Sequence, residues 1–186
     1  MKSRFLENHD LYDGTQLVSL RNYLKHQMVG DSIVAWVGPC DIPFEHMVDG
    51  EDLLENARIC GSKMLHFIVE TFDTSLFAAV ALQRLLASVV KDQLDELSLA
   101  SMPLFRDGDD IYSGPRKLSI SIATQSPVSS LIHFAVNVSN QGTPVETISL
   151  EDLGVNPKAL ADAVMAVFCG EFESIRRATR KVRWVK

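Results

Sequence analysis

Arg116-Lys117-Leu118-Ser119-Ile120-Ser121-Ile122-Ala123-Thr124-Gln125, entered through Gly108-Asp109-Asp110-Ile111-Tyr112, is the stretch on which the reading of this chain turns. Apolar and polar residues alternate along it, the period of a strand with one buried face. Leu118, Ile120 and Ile122 are expected on that face, and Lys117, Ser119 and Ser121 on the other. A lysine and two hydroxyls over an apolar layer are what a sheet offers when it floors a pocket. The return run Leu131-Ile132-His133-Phe134-Ala135-Val136-Asn137-Val138 follows Gln125-Ser126-Pro127-Val128-Ser129, a tip with turn chemistry. The spacing therefore predicts an antiparallel hairpin over residues 117 to 138.

Outward from the hairpin, Gly30-Asp31 precedes Ser32-Ile33-Val34-Ala35-Trp36-Val37, which reads as a buried strand ending at the Gly38-Pro39 turn. Met64 to Phe72 reads as a second strand. Thr74 or Ser75 caps a helix whose Leu76, Ala79, Val80, Leu82, Leu86 and Val90 follow helical spacing, so it should cover the sheet. A final helix starts with Asn156 as N-cap and Pro157 at the first helical position and runs towards Arg180. Strands outnumber helices and the hairpin must be antiparallel, so the class is α+β: a mixed, largely antiparallel sheet flanked by helices. No repeat, low-complexity run or linker divides the chain, and one domain over residues 1–186 is expected.

At 186 residues with 46% apolar and 23% charged content, the chain is long enough for one well-buried core and short for two. The net charge of −6 offers no overall basic field for nucleic acid. Arg176, Arg177, Arg180, Lys181, Arg183 and Lys186 are the only charges after Glu173, and removing them leaves −12 for the rest. A solvated helix end that complements its own dipole is the expected reading, against a phosphate or acidic-partner patch. Cys40, Cys60 and Cys169 show no C-x-x-C spacing, and no signal peptide is evident, so a reducing, cytoplasmic setting is expected. Leu76 to Val90, the longest apolar stretch, is interrupted by Gln83 and Arg84 and falls short of a bilayer span. No membrane partner is expected, and a homodimer is left open.

The run from Gly108 to Gly154 resembles the central hairpin of the biotin and lipoate protein ligase superfamily. Asp110-Ile111, Gly114, Arg116-Lys117-Leu118-Ser119 and Ala123 match its lysine-bearing strand. Leu131 to Val138 resembles its return strand, and Thr147-Ile148-Ser149-Leu150-Glu151-Asp152-Leu153-Gly154 resembles the start of its next helix. Over roughly residues 10 to 184 the chain is identified as a member of the domain of unknown function 366 family, through Gly38-Pro39-Cys40, Glu45-His46-Met47-Val48-Asp49, Met64-Leu65-His66-Phe67-Ile68 and Ser126-Pro127-Val128-Ser129. The superfamily resemblance implies a ligase-like fold and a small carboxylate or acyl ligand. It also implies that Lys117 neutralises charge at an acyl-adenylate, with ATP as a possible co-substrate.

Around Lys117, Arg116 can assist or merely cover the strand edge. Ser119 and Ser121 can bind a carboxylate or adenylate oxygen, or satisfy neighbouring backbone. His133 opposes them at the superfamily's histidine position, and His66 is one polar position in an otherwise buried run. Glu45 and His46, within an acidic segment reaching Glu51 and Asp52, can supply a general acid or base or bind a metal, although no metal-ligand set is assigned. The common phosphate cradles are missing. Gly38 to Asp52 stands where the ligases place an Arg/Gly-rich adenylate loop. No cysteine follows the return strand between Val138 and Gly154, so an acyl-cysteine mechanism is not indicated. The expected activity is carboxylate activation or acyl transfer, with a non-catalytic metabolite-binding protein on the same fold as the alternative.

Overall fold

The computed structural model describes residues 1–185; Lys186, the last of the basic cluster, lies outside them. In chain order the elements are β1 (Lys2–Phe5), α1 (Arg21–His26), β2 (Ser32–Ile42), a single 3-10 turn at Phe44–His46, α2 (Gly50–Glu55), β3 (Ile59–Thr71), α3 (Leu76–Leu97), β4 (Phe105–Asp107), β5 (Asp110–Ser113), β6 (Arg116–Lys117), β7 (Ser119–Gln125), β8 (Ser130–Asn137), α4 (Leu150–Leu153) and α5 (Pro157–Ala178). The main sheet has the order β1-β2-β3-β8-β7, with only the β1–β2 pair parallel, and β4-β5-β6 form a small second sheet. This is the expected mixed, largely antiparallel α+β architecture.

One face of the main sheet is closed by the helices. Ile33, Ala35, Leu65, Phe67, Val69, Ile132, Phe134 and Val136 meet Leu82, Leu86, Val90, Leu160, Val164 and Phe168 there. Ser75 caps α3 by accepting from the Ala78 amide, and Asn156 caps α5 by accepting from the Ala159 amide, with Pro157 behind it, so both predicted starts hold. α5 ends in Arg176 and Arg177, which complements its dipole. The other face carries Trp36, Cys40 and Met64 and is covered by Leu6, Tyr12 and Met28.

Two strands outrun their expected limits. β2 does not stop at Gly38-Pro39 but continues to Ile42 through a register shift between Gly38 and Cys40, a bulge that absorbs the proline. Glycine is required at position 38, because a Cβ there would collide with the Asp10 carbonyl oxygen. The added length pairs with residues 59–61, so β3 begins five residues before Met64.

The hairpin forms with Ser119↔Val136 through Gln125↔Ser130 in antiparallel register. The expected single strand from Arg116 to Gln125 is nevertheless broken at Leu118. Lys117 belongs to the small sheet, opposite Tyr112, whereas Ser119 begins the strand in the main sheet. Leu118, whose amide donates to the Ile111 carbonyl at 2.8 Å, drops into the helix-side core, while Ile120 packs on the opposite face. Leu118, Ile120 and Ile122 therefore do not share a face. The hand-over between two sheets at Leu118 resets the alternation that the residues alone suggest. Truncating this fully buried pivot by Leu118→Ala should cost about 2–5 kcal/mol in chemical denaturation, as for other large-to-small core changes.

Candidate functional site

Lys117 stands where the small sheet meets the main one. Gly114 at φ 57 and Pro115 make the two-residue turn between β5 and β6, with Ser113↔Arg116 and Tyr112↔Lys117 paired across it. This turn puts the Lys117 Nζ 2.7 Å from Asp110 Oδ2 and 6.0 Å from the Tyr112 ring centroid. The backbone is held as tightly: the Lys117 amide donates to the Glu146 carbonyl, the Ile148 amide donates to the Lys117 carbonyl, and Asn137 Nδ2 reaches that same carbonyl at 3.2 Å. The 146–148 segment is set in turn by the Ser149–Asp152 capping box, which starts α4.

A cleft of about 420 Å³ opens beside this lysine. Its walls are Asp49 and Asp52 of the α2 region, Arg58 to Cys60, the β7 edge at Ser119 to Ser121, and Thr143 to Val145 with Thr147. Five carboxylates (Asp49, Glu51, Asp52, Asp109, Asp110) face two cations, Lys117 and Arg58, and Arg58 is already paired with Asp41. Burial raises the Asp110 carboxyl above its ordinary range, opposed by Lys117. Burial alone would lower Lys117, but the hydrogen bond and charge of Asp110, with Tyr112 and Asp52, outweigh it, so the ammonium titrates above its ordinary value. Asp52 is raised by burial and by Asp49, with Lys117 opposing, and it has no hydrogen-bond partner on its carboxylate among the described residues. The site thus favours the charged form of the ammonium, which suits it to stabilising an anion rather than to acting as a neutral amine nucleophile.

The other residues singled out from the sequence divide among several places. Ser121 borders the cleft, donating to Asp109 Oδ2 and accepting from Gln83 Nε2, both at 2.7 Å. Ser119 reaches the cleft wall too, but its Oγ accepts from the Ile111 amide at 2.9 Å, and the residue is fully buried. Both serines lie opposite helix-side residues of β8, Phe134 and Val136. Arg116 is directed away, to the Met102 sulfur, and Glu45 is exposed on the 3-10 turn. His46 and His133 line a small recess of about 40 Å³ that shares Asp49, Asp52, Ile59, Ile120 and Ser121 with the cleft. His46 is tied down through Nδ1–H to the Asp13 carbonyl at 2.9 Å.

His66 lies in the sheet itself, flanked by Trp36 and His133 at ring-centroid distances of 4.9 and 5.4 Å, and Tyr12 covers the group, 3.6 Å from the His133 centroid and 5.4 Å from that of His66. Nε2 of His66 faces the Gly38 carbonyl at 3.2 Å, which assigns the proton to Nε2 and makes Nδ1 the acceptor of a bond from His133 Nε2–H at 3.1 Å. The His66–His133 bond is lost only when both rings carry two protons, but burial disfavours a charge on either one. Burial lowers His66 to about 4, and burial together with His66 lowers His133 well below its ordinary value.

Asp110, Asn137 and Thr147 were visible as parts of motifs, but not as site residues. The Gly114-Pro115 turn was the available signal, because a two-residue turn there puts Asp110 diagonally across from Lys117. Nothing local marks Arg58 or Cys60. Cys60 lines the cleft and donates through its thiol to the Gly142 carbonyl, whereas Cys40 is buried and its thiol is pushed up to about 12, mainly by burial.

The fold is that of the biotin and lipoate protein ligases. The biotin protein ligase from Aquifex aeolicus in complex with biotin and ATP aligns with a TM-score of 0.62 at 14% identity, over 94% of this chain and 72% of that one. Ta0514 from T. acidophilum, a candidate lipoate protein ligase with bound lipoic acid, aligns with a TM-score of 0.57 at 16% identity, over 93% and 87%. The chain belongs to the family described as Domain of unknown function (DUF366), which it matches over residues 1–183. Within closer range it is similar to a "Protein of Unknown Function from Pyrococcus horikoshi", with a TM-score of 0.93, 38% identity and coverage of 100% and 99%. It is also 31% identical over 184 residues to "Uncharacterized protein MJ0805" from Methanocaldococcus jannaschii, covering 95% of this chain and 82% of that protein.

The histidine stack gives a testable pH dependence. Both folded-state values lie below the unfolded 6.5, so the unfolded chain binds more protons and stability rises with pH through this window. Stability from this pair should be complete above about pH 6.5 and fall progressively as the pH drops towards 4. Urea denaturation at pH 7.5 and 5 should show the loss, and His133→Gln should flatten the slope; an unchanged slope would mean other groups carry it.

Proposed function

We propose that the cleft binds a small carboxylate or acyl compound against Lys117 and supports acyl transfer or carboxylate activation there. One observation carries this reading: a partly buried ammonium, kept charged by Asp110, stands at the wall of a concave site otherwise rich in carboxylates. As an acceptor adds to the acyl carbon, negative charge gathers on its oxygen, and a fixed cation at that point lowers the barrier. Asp110 positions the ammonium, and Ser121 and Asp52 offer polar contacts at the cleft wall. His133 and His46 contribute from the adjoining recess, Ser119 and His66 hold neighbouring backbone, and Arg116 and Glu45 point away from the cleft. The whole chain, residues 1–186, is read as one domain built around this cleft.

The biotin and lipoic acid bound to the structural neighbours are both carboxylic acids, which supports the ligand class. Carboxylates outnumber cations in the lining, so the residues fit a small acid or acyl group better than a bare triphosphate. A second reading, a non-catalytic metabolite-binding protein, is favoured by the fact that Asp110 already compensates the Lys117 charge.

Thermal-shift screening against ATP, acyl-adenylates, biotin, lipoate and other acids tests the class, because a ligand at a hundred times its Kd adds about 2.7 kcal/mol of stability. Where a stabilising acid also turns over, Lys117→Met should lower the rate by about a hundredfold to a thousandfold, and Cys60→Ser should leave it within about tenfold. An active Lys117→Met with a dead Cys60→Ser would replace this chemistry with thiol catalysis. Stabilisation without turnover by any acyl donor would favour the binding protein.

A further inference from the structure

A second and larger concavity, of about 750 Å³, lies between the first half of α3 and the last half of α5, beside the Phe72–Ser75 turn that leads from β3 into α3. It shares no lining residue with the Lys117 cleft. Phe72, Ala78, Leu82, Leu85, Phe172 and Ile175 make its surface apolar. Apolar and polar lining segregate along the helices: Leu82, Leu85 and Phe172 lie inward, while Asp73, Thr74, Ser75, Arg176, Thr179 and Arg180 sit at the helix ends.

The polar end is mostly self-satisfied. Ser75 Oγ accepts from the Ala78 amide, Thr74 Oγ1 donates to Ser130 Oγ, and Thr179 Oγ1 donates to the Arg176 carbonyl. Arg176 pairs with Asp31 and lies 5.9 Å from the Phe172 ring centroid. Arg180 is different: its guanidinium has no hydrogen bond or ion pair among the described residues. It follows Arg176 and Arg177 and precedes Lys181 and Arg183 in the chain, and the nearby carboxylates Asp31 and Glu173 are paired with Arg176 and the Met1 ammonium, which leaves Asp73 at the groove. The field at this end of the groove is therefore positive in a chain whose net charge is −6.

We propose that this groove binds a linear anionic amphiphile, its alkyl chain along Leu82, Leu85 and Phe172 and its anionic head at Arg180. Concavities of roughly 300–1,000 Å³ with apolar walls and a few polar groups at one end suit a small molecule, which favours this occupant over a docked protein segment. Burying the chain against the apolar wall supplies the affinity, and the arginine sets its direction.

The probe is dodecanoate, below its micellar concentration, titrated calorimetrically against the full chain. Saturable one-to-one binding is expected. Dodecyltrimethylammonium should bind at least tenfold more weakly, Arg180→Glu should weaken dodecanoate several-fold, and added salt should do the same. Ala81→Trp fills the groove from an exposed position on α3, and it should abolish binding with an unchanged circular dichroism spectrum. Lys117→Met should leave binding intact. Absence of saturable binding, or equal binding of the cationic amphiphile, overturns the proposal. Loss in Lys117→Met but not in Ala81→Trp would assign dodecanoate to the cleft instead. Sedimentation showing a dimer that Ala81→Trp abolishes, without dodecanoate binding, would give the groove to a second copy of the chain.

Discussion

The central strands β3 and β8 are buried on both faces, and the rest of the molecule follows from covering them. All eight residues of β8 are buried, and so are the last eight of β3. An antiparallel sheet ordinarily leaves one face to solvent, with polar residues on it. Here the second face carries Val34, Trp36, Ile68 and Ala135, which must also leave water, and the N-terminal segment through Leu6, Tyr12 and Met28 supplies the cover. That cover gives out towards the sheet edge at β7, where Ile120 is only partly buried. The cleft beside Lys117 is the place where the second face stops being covered.

Burial on both sides makes every polar residue in these strands costly unless it is bonded. His66 and His133 meet the demand through each other and the Gly38 carbonyl. Glu70 Oε1 accepts from the Ser129 hydroxyl and the Leu20 amide, tying the hairpin tip to the start of α1. Ser119 closes the seam between the two sheets through the Ile111 amide. These contacts explain why polar residues recur along apolar strands without all of them facing a ligand. Ser121 differs in reaching the cleft while still bonded to Gln83 and Asp109.

Electrostatics then narrows what the cleft can do. An ammonium already 2.7 Å from Asp110 neither needs an anion for its own solvation nor gives up its proton. An incoming acid must share Lys117 with Asp110 and pass Asp49, Glu51 and Asp52. Such a site suits ligands with a single anionic group or a polarised carbonyl, whose charge is smallest on entering and largest in the transition state. The groove between α3 and α5 has the opposite balance, an apolar wall with unpaired positive charge at one end.

The α+β class, both long-helix starts, the hairpin and the importance of the Lys117 region were legible in the residues, because each rests on local chemistry. Alternation over a few residues, a serine or asparagine ahead of an apolar helix face, and turn residues at a hairpin tip act within one or two turns of chain. The motif around Asp110, Lys117 and Asn137 also pointed to the ligase-like fold. What no local pattern could set was the phase of the 116–125 strand, since Leu118 leaves it to join Ile111 in another sheet's hydrogen bonding and the face of every later residue depends on that exchange. The tertiary structure alone decided that His66 is enclosed by Trp36 and His133, and that Asp52, Arg58 and Cys60 arrive beside Lys117 from elements more than 50 residues away in sequence. Contacts of that separation are selected by how whole faces are buried, a property of the packed sheet and not of any window along the chain.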